Sequence, residues 1–323
     1  MDFDTEKQIE YIDKYFDAVY KNGSSRKDIL LELIKNNGTI SKLSKSPILL
    51  SLLCVTDDIE SIKNKAQLFK SAIKILLRNR QIRDEDSQER LISFLKEIAV
   101  AFFKLDKAEC FEKNELEFYA DKFFCQNEDE VCKILKRKYL ECGLFVLQSK
   151  DKTYKFTHRT IWEYLVAEGM VDREKNEIYS RANMGLWEES IKMYVTLLNY
   201  RDVELVLAGI WKKNKALSLS CMRELDGFPE IIFTTLYGNL EKREKLMLIA
   251  TLRESYTNHS SEYRKQIVNV IKDTLLLIHG AETNAKDCEV IYSYIEFLEE
   301  FRQERVFNEL LHWCPVVEKV NAI

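Results

Sequence analysis

Histidines, cysteines and one proline-headed apolar run are the features of this 323-residue chain that could do more than pack. The eight cysteines, Cys54, Cys110, Cys125, Cys132, Cys142, Cys221, Cys288 and Cys314, lie far apart inside apolar helical patterns. A chain this long builds its own core without staples, so they read as free, mostly buried thiols. Cys125, Cys132 and Cys142 are spaced poorly for zinc and have only His158 nearby, so no metal site is expected. No cysteine stands out as half of a Cys–His nucleophile. The four histidines are likewise far apart in sequence. Pro47 heads the run Ile-Leu-Leu-Ser-Leu-Leu-Cys-Val, and its ring offers a rigid, flat apolar surface. His158 follows the alternating stretch Tyr154-Lys-Phe-Thr, and its imidazole N–H can donate to an anionic oxygen. Thr160 sits at a predicted helix start, where free backbone N–H groups favour anions. Each has a plainer reading beside it. Proline in a first helical turn costs nothing, since its N–H would go unbonded there anyway. A histidine beside Phe156 can be a packing residue, and Arg159 and Glu163 read as surface or capping groups.

Phosphate-transfer chemistry needs more than these. A P-loop ends in Gly-Lys-Ser or Gly-Lys-Thr, so that backbone N–H groups wrap the phosphates while the lysine and hydroxyl hold phosphate and magnesium. None of the nine glycines is followed by lysine, and no apolar strand ends in paired acids. The chain is therefore not expected to be an enzyme by itself, and it carries no cofactor of its own.

The elements that must position Pro47 and His158 are mostly helices. Turn residues are scarce, with nine Gly and three Pro, so short connections between helices are favoured over sheets and long loops. Apolar residues at spacings of three and four predict helices over residues 6–20, 28–36, 64–80 and 84–103, with Gly38 as a helix stop and Ser46-Pro47 opening another. Two shorter helices follow, near residues 115–124 and 128–142. At Gly143 the period drops to two. Residues 143–148 and 153–158 alternate about a polar turn, predicting one hairpin with Tyr154, Phe156 and His158 on one face. Thr160-Ile-Trp-Glu163 has the form of a capping box that opens the next helix. From residue 172 only helices are expected, at 186–198, 203–211, 215–225 and in five further stretches from Pro229 to Trp313, with no fixed repeat period. The expected fold class is mainly α: a helical bundle, a winged-helix domain with one β-hairpin, then an α-helical array.

Three stretches together resemble the NACHT family of STAND NTPases. Ser46-Pro-Ile-Leu-Leu-Ser-Leu-Leu-Cys54 is similar to the family's Asn-Pro-Leu-Leu-Leu run, followed by a helix around Ala66-Gln-Leu-Phe69. Tyr154-Lys-Phe-Thr-His-Arg-Thr-Ile-Trp-Glu-Tyr-Leu-Val-Ala167 resembles its Phe-x-His-x-Thr-Phe-Gln-Glu-Tyr-Leu-Ala-Ala segment. Tyr11-Ile-Asp-Lys-Tyr-Phe16 resembles the helix that follows its nucleotide domain. The likeness spans about residues 1–170 in matching order; Ser46 replaces the usual Asn and Trp162 the usual Gln. It implies a helical domain at 1–63, a winged-helix domain at 64–171 and a helical, HEAT-like domain at 172–323. It also implies that Pro47 packs on an adenine and that His158 reaches the terminal phosphate of bound ADP. The cradle for that ATP or ADP would come from a P-loop domain in cis or in trans, lying before Met1 in a longer parent protein. The resemblance further implies self-association through that parent, a protein trigger or partner on the C-terminal helices, and defence or innate-immune signalling.

Two other functions compete. A winged helix commonly reads DNA through its third helix, and Lys133, Lys136, Arg137 and Lys138 with wing residues Lys150, Lys152 and Lys155 form a local basic cluster. Against this stand Glu128, Asp129 and Glu130 in the same segment and a net charge of −4, so nucleic acid is not an expected partner. The chain could also be a plain helical scaffold for protein interactions. The N-terminus has no signal-peptide pattern and no run approaches roughly 18 apolar residues. A cytoplasmic location without a membrane partner is expected.

Overall fold

The structure, a computed structural model, describes residues 3–19, 25–62, 64–105, 111–124, 130–148, 153–173 and 175–225. The helices expected from Pro229 onward lie outside these residues, as do Cys110, Cys125, Cys288, Cys314, Glu128, Asp129, Lys150 and Lys152. The described chain is mainly helical with one small antiparallel sheet. None of its helices is long and apolar enough to cross a membrane.

Five helices lead: α1 (Thr5–Val19), α2 (Ser25–Asn36), α3 (Gly38–Ser44), α4 (Pro47–Val55) and α5 (Lys65–Asn79). Gly38, expected to stop a helix, instead opens one. The reason is Asn37, whose side chain accepts the Ile40 N–H at 3.1 Å and so caps α3 at once. Helix α4 is apolar nearly all round and buries Leu49, Leu50, Leu53 and Cys54. Such a helix must be covered on several sides, and α1, α2, α3 and α5 cover it. Asn64 caps α5 through the Gln67 N–H at 2.9 Å. At its other end α5 closes in a Schellman motif, with Gln81 N–H donating to the Arg78 carbonyl and Ile82 N–H to the Leu77 carbonyl. Gln81 holds φ 64° there, the only positive φ among the described non-glycine residues.

A winged helix follows, in the order α6 (Glu85–Lys104), β1 (Phe111–Glu112), α7 (Lys113–Phe124), α8 (Glu130–Lys138), a 3-10 turn (Tyr139–Glu141), β2 (Phe145–Gln148), β3 (Thr153–Phe156) and α9 (Arg159–Met170). Asp84 starts α6 by accepting the Ser87 N–H at 2.7 Å, and those hydrogen bonds hold its carboxyl below the usual range. Gly143, at φ 83°, makes the turn into β2. The expected hairpin is present as β2 and β3, with Phe145 opposite Phe156 and Gln148 opposite Thr153. A third strand joins it, because β1 pairs with the free edge of β3, Phe111 lying opposite Tyr154. Two residues are too few for alternation to show in sequence. What fixes β1 is the fully buried Phe111 ring, 4.4 Å from Phe102 and 5.6 Å from Phe156.

Helix α9 lies along α6 on one side and along α11 (Glu188–Leu197) on the other. Aromatic rings lock this stack. Phe103 of α6 meets Trp162 of α9 at 4.8 Å and Trp187, in the 3-10 turn ahead of α11, at 3.8 Å. Helices α10 (Lys175–Arg181), which the periodicity does not reveal, α12 (Tyr200–Trp211) and α13 (Lys215–Arg223) complete the described elements. Packing continues across residues 63/64 and 171/172, since α5 touches α4, α9 and α11 together, and one compact unit spans Met1–Leu217.

Candidate functional site

Pro47 is the first residue of α4. Ser46 precedes it with extended backbone and no side-chain cap, while its carbonyl accepts the Leu50 N–H at 2.8 Å. The proline ring is exposed although the helix behind it is buried, so its face is open to a partner.

His158 stands between the wing and α9. The hairpin ladder runs on past β3, where Thr157 N–H donates to the Leu144 carbonyl at 2.9 Å and its hydroxyl to the Gly143 carbonyl at 2.8 Å. His158 then turns the chain, its carbonyl accepting the N–H groups of Ile161 and Trp162. It is therefore the N-cap of α9, and Thr160 is not. His158 also does not share the buried face of Phe156: the strand ends at Phe156, which is buried, and His158 is exposed. Its imidazole makes no hydrogen bond or ion pair among the described residues. The Thr160 hydroxyl, one residue inside the helix, is buried with no partner.

Glu163 also departs from the expected capping box. It is only 3% exposed, and its Oε1 accepts from Arg159 Nε at 2.9 Å. Burial raises its carboxyl pKa, and the Arg159 guanidinium opposes that rise only in part. Next to it, Lys65 at the start of α5 reaches Glu189 at the start of α11 across 3.0 Å, and Lys192 bonds Glu189 at 3.0 Å and Glu188 at 2.7 Å. Burial alone would raise Glu189, but Lys65 and Lys192 outweigh it and leave its pKa below the ordinary value. The Lys65–Glu189 pair ties the first turns of α5 and α11 together, and Glu163 of α9 feels both charges. Sequence reasoning missed this tie, because partners 124 residues apart leave no local signal.

Helix α5 packs against both α4 and α9 and so links the elements that carry Pro47 and His158. Pro47 and His158 make no hydrogen bond, ion pair or ring contact with each other, and neither lines the cleft between α5, α6 and α9 or the one beside Arg80 and Gly143. No family model matches this sequence, and no curated protein matches it.

In the basic cluster on α8, Lys133 is paired with Glu130 at 2.9 Å and Lys136 with Asp121 at 2.7 Å. Those carboxylates hold two of the four charges that a phosphate backbone would need. Cys132 and Cys142 are buried thiols, and burial pushes Cys142 up to about 11. No group of three or more His, Cys, Asp or Glu side chains among the described residues is placed to hold a metal ion.

Proposed function

We propose that this chain is the regulatory part of a NACHT-type nucleotide switch, working with a P-loop domain supplied outside it. Pro47 would pack on the adenine and His158 would donate to the terminal phosphate of ADP, holding the resting state. Exchange for ATP would free the winged helix, so that parent protomers self-associate and signal, with the C-terminal helices taking the trigger or protein partner. Such a device works because the ligand contacts its two states differently.

The observation that carries this reading is the exposed His158 imidazole at the junction of wing and α9. The Thr157 hydroxyl and the side chains of Arg159 and Glu163 around it are bound to their own chain, whereas His158 is left to a partner. The order of the Tyr11, Pro47 and His158 motifs supports it further, and so does the winged-helix order of elements that carries the histidine. The test is made on a longer parent, or on this chain together with a P-loop domain supplied in trans. Wild type is expected to retain ADP through purification, and His158→Ala is expected to lose it about tenfold faster, the effect of one charge-assisted hydrogen bond. Equal retention by the two proteins would sink the assignment.

A further inference from the structure

Helix α5 carries four basic residues, Lys65, Lys70, Lys74 and Arg78, and no acidic one. Its terminal charges are answered by the protein, Lys65 by Glu189 at 3.0 Å and Arg78 by Asp57 at 2.6 Å. The middle two are not. Lys70 and Lys74 lie one turn apart, where like charges repel, and neither makes an ion pair among the described residues. Both line a cleft of about 290 Å³ between α5, α6 and α9. Lys96 of α6 lines the same cleft from the opposite wall and likewise has no ion pair among the described residues.

The floor of the cleft is of another kind. Ile73 and Tyr164 are each only 1% exposed, and Ile92 stands beside them. The Tyr164 ring is stacked on Phe69, and its hydroxyl donates to Glu168 at 2.6 Å. That bond occupies one of the two carboxylates in the lining; the other, Glu89, is exposed. Three ammonium groups thus face two carboxylates over an apolar base, and Ser93 adds a hydroxyl. The walls are firmly set, because Gly169, next to Glu168, lets α9 come close to the Lys96 backbone.

We propose that this cleft binds a small phosphomonoester, its phosphoryl group held by Lys70, Lys74 and Lys96 and its apolar part resting on Ile92 and the lysine stems above the buried Ile73 and Tyr164. A phosphomonoester carries close to two negative charges at neutral pH and three strong acceptor oxygens, which suit three lysine donors better than a single carboxylate does. The volume admits a small ligand, at the lower end of what such pockets hold. This inference is independent of the nucleotide switch, as none of its residues is Pro47 or His158.

Phenyl phosphate is the probe, titrated calorimetrically into the full chain, with phenol and inorganic phosphate as controls. Saturable one-site binding of phenyl phosphate is expected, weakened by added salt and stronger than that of either control. Lys74→Ala and Lys96→Ala are each expected to weaken it about tenfold, with thermal melting confirming that the variants fold. Should Lys96→Ala unfold, Lys70→Gln on the exposed rim replaces it, with a loss in the same direction. His158→Ala is expected to bind phenyl phosphate as wild type does. Absence of saturation, equal affinity for phenol, or unchanged affinity in folded lysine variants overturns the proposal.

Discussion

Gly169 and Val100 set how closely α9 lies on α6: a β-carbon at position 169 would stand 2.8 Å from Val100 Cγ2 and 3.2 Å from the Lys96 carbonyl oxygen. Alanine in a helix interior gains about 1 kcal/mol over glycine, whereas overpacking of this kind costs about 1–3 kcal/mol. The second term wins, because valine is stiff at χ1 and a backbone carbonyl cannot move aside. Gly169→Ala is expected to lower stability by about 1 kcal/mol in denaturant titration. Val100→Ala in the same chain should recover part of that loss, and additive effects of the two changes would refute the contact.

Glu163 predicts a pH dependence. Burial raises its pKa in the folded protein, so the folded chain binds a proton that the unfolded chain has already released. Its contribution is therefore most favourable below the unfolded pKa and declines as pH rises through the folded one. Glu163→Gln is expected to raise the melting temperature at pH 7 and to lose that advantage toward pH 4.5, the ordinary value for the group. Arg159→Ala should do the reverse at pH 7, costing about 1–2 kcal/mol by leaving the carboxylate unpaired, moderated because half of Arg159 faces water. Parallel melting curves of wild type and Glu163→Gln across this range would contradict the assignment.

At the end of α5, Gln81 occupies a left-handed position that glycine fills without strain. The conformation costs a side chain about 1–2 kcal/mol, while glycine loses about 0.5–1 kcal/mol in backbone entropy. Gln81→Gly is thus expected to stabilise the protein by about 0.5–1 kcal/mol. Gln81→Val, branched at the β-carbon, should destabilise it. Chemical denaturation of the pair reads both signs, and a gain for valine would rule out the left-handed cap.

Tyr139 packs its ring against Phe94 at 5.2 Å and Phe145 at 6.4 Å, but its hydroxyl is buried with no partner. Burial, then the nearby carboxylates of Glu117 and Asp121, push its pKa up to about 12. An unsatisfied buried hydroxyl costs about 1–3 kcal/mol. Tyr139→Phe keeps the ring and removes that cost, so a gain of about 1 kcal/mol is expected on thermal unfolding. A drop in melting temperature would show that the hydroxyl is bonded after all.

The residues explain which parts of this fold could be read in advance. Asn64 and Asp84 precede strongly periodic stretches, and both are found capping the helices that periodicity places there. Asn37-Gly38 misleads because the same pair can end one helix or begin the next. At the other candidate position, Thr160 and Glu163 have the spacing of a capping box, yet the burial of Glu163 gives the cap to His158. Helix α11 is expected at 186–198, but its packing on α9 beside Glu163 is a long-range event that no local pattern announces. Strand β1 and the Lys65–Glu189 pair share this origin, since both exist only through segments distant in the chain.

The span between Lys65 and Glu189 has a consequence for how the protein is made. At roughly 5–20 residues per second, a ribosome needs roughly 6–25 s to add the 124 residues that separate these partners. Until then α5 and α9 emerge without the helix that covers them, and Trp162 and Phe103 wait for Trp187. Nascent chains halted before α11 are accordingly expected to recruit chaperones, and those halted beyond Leu217 to release them.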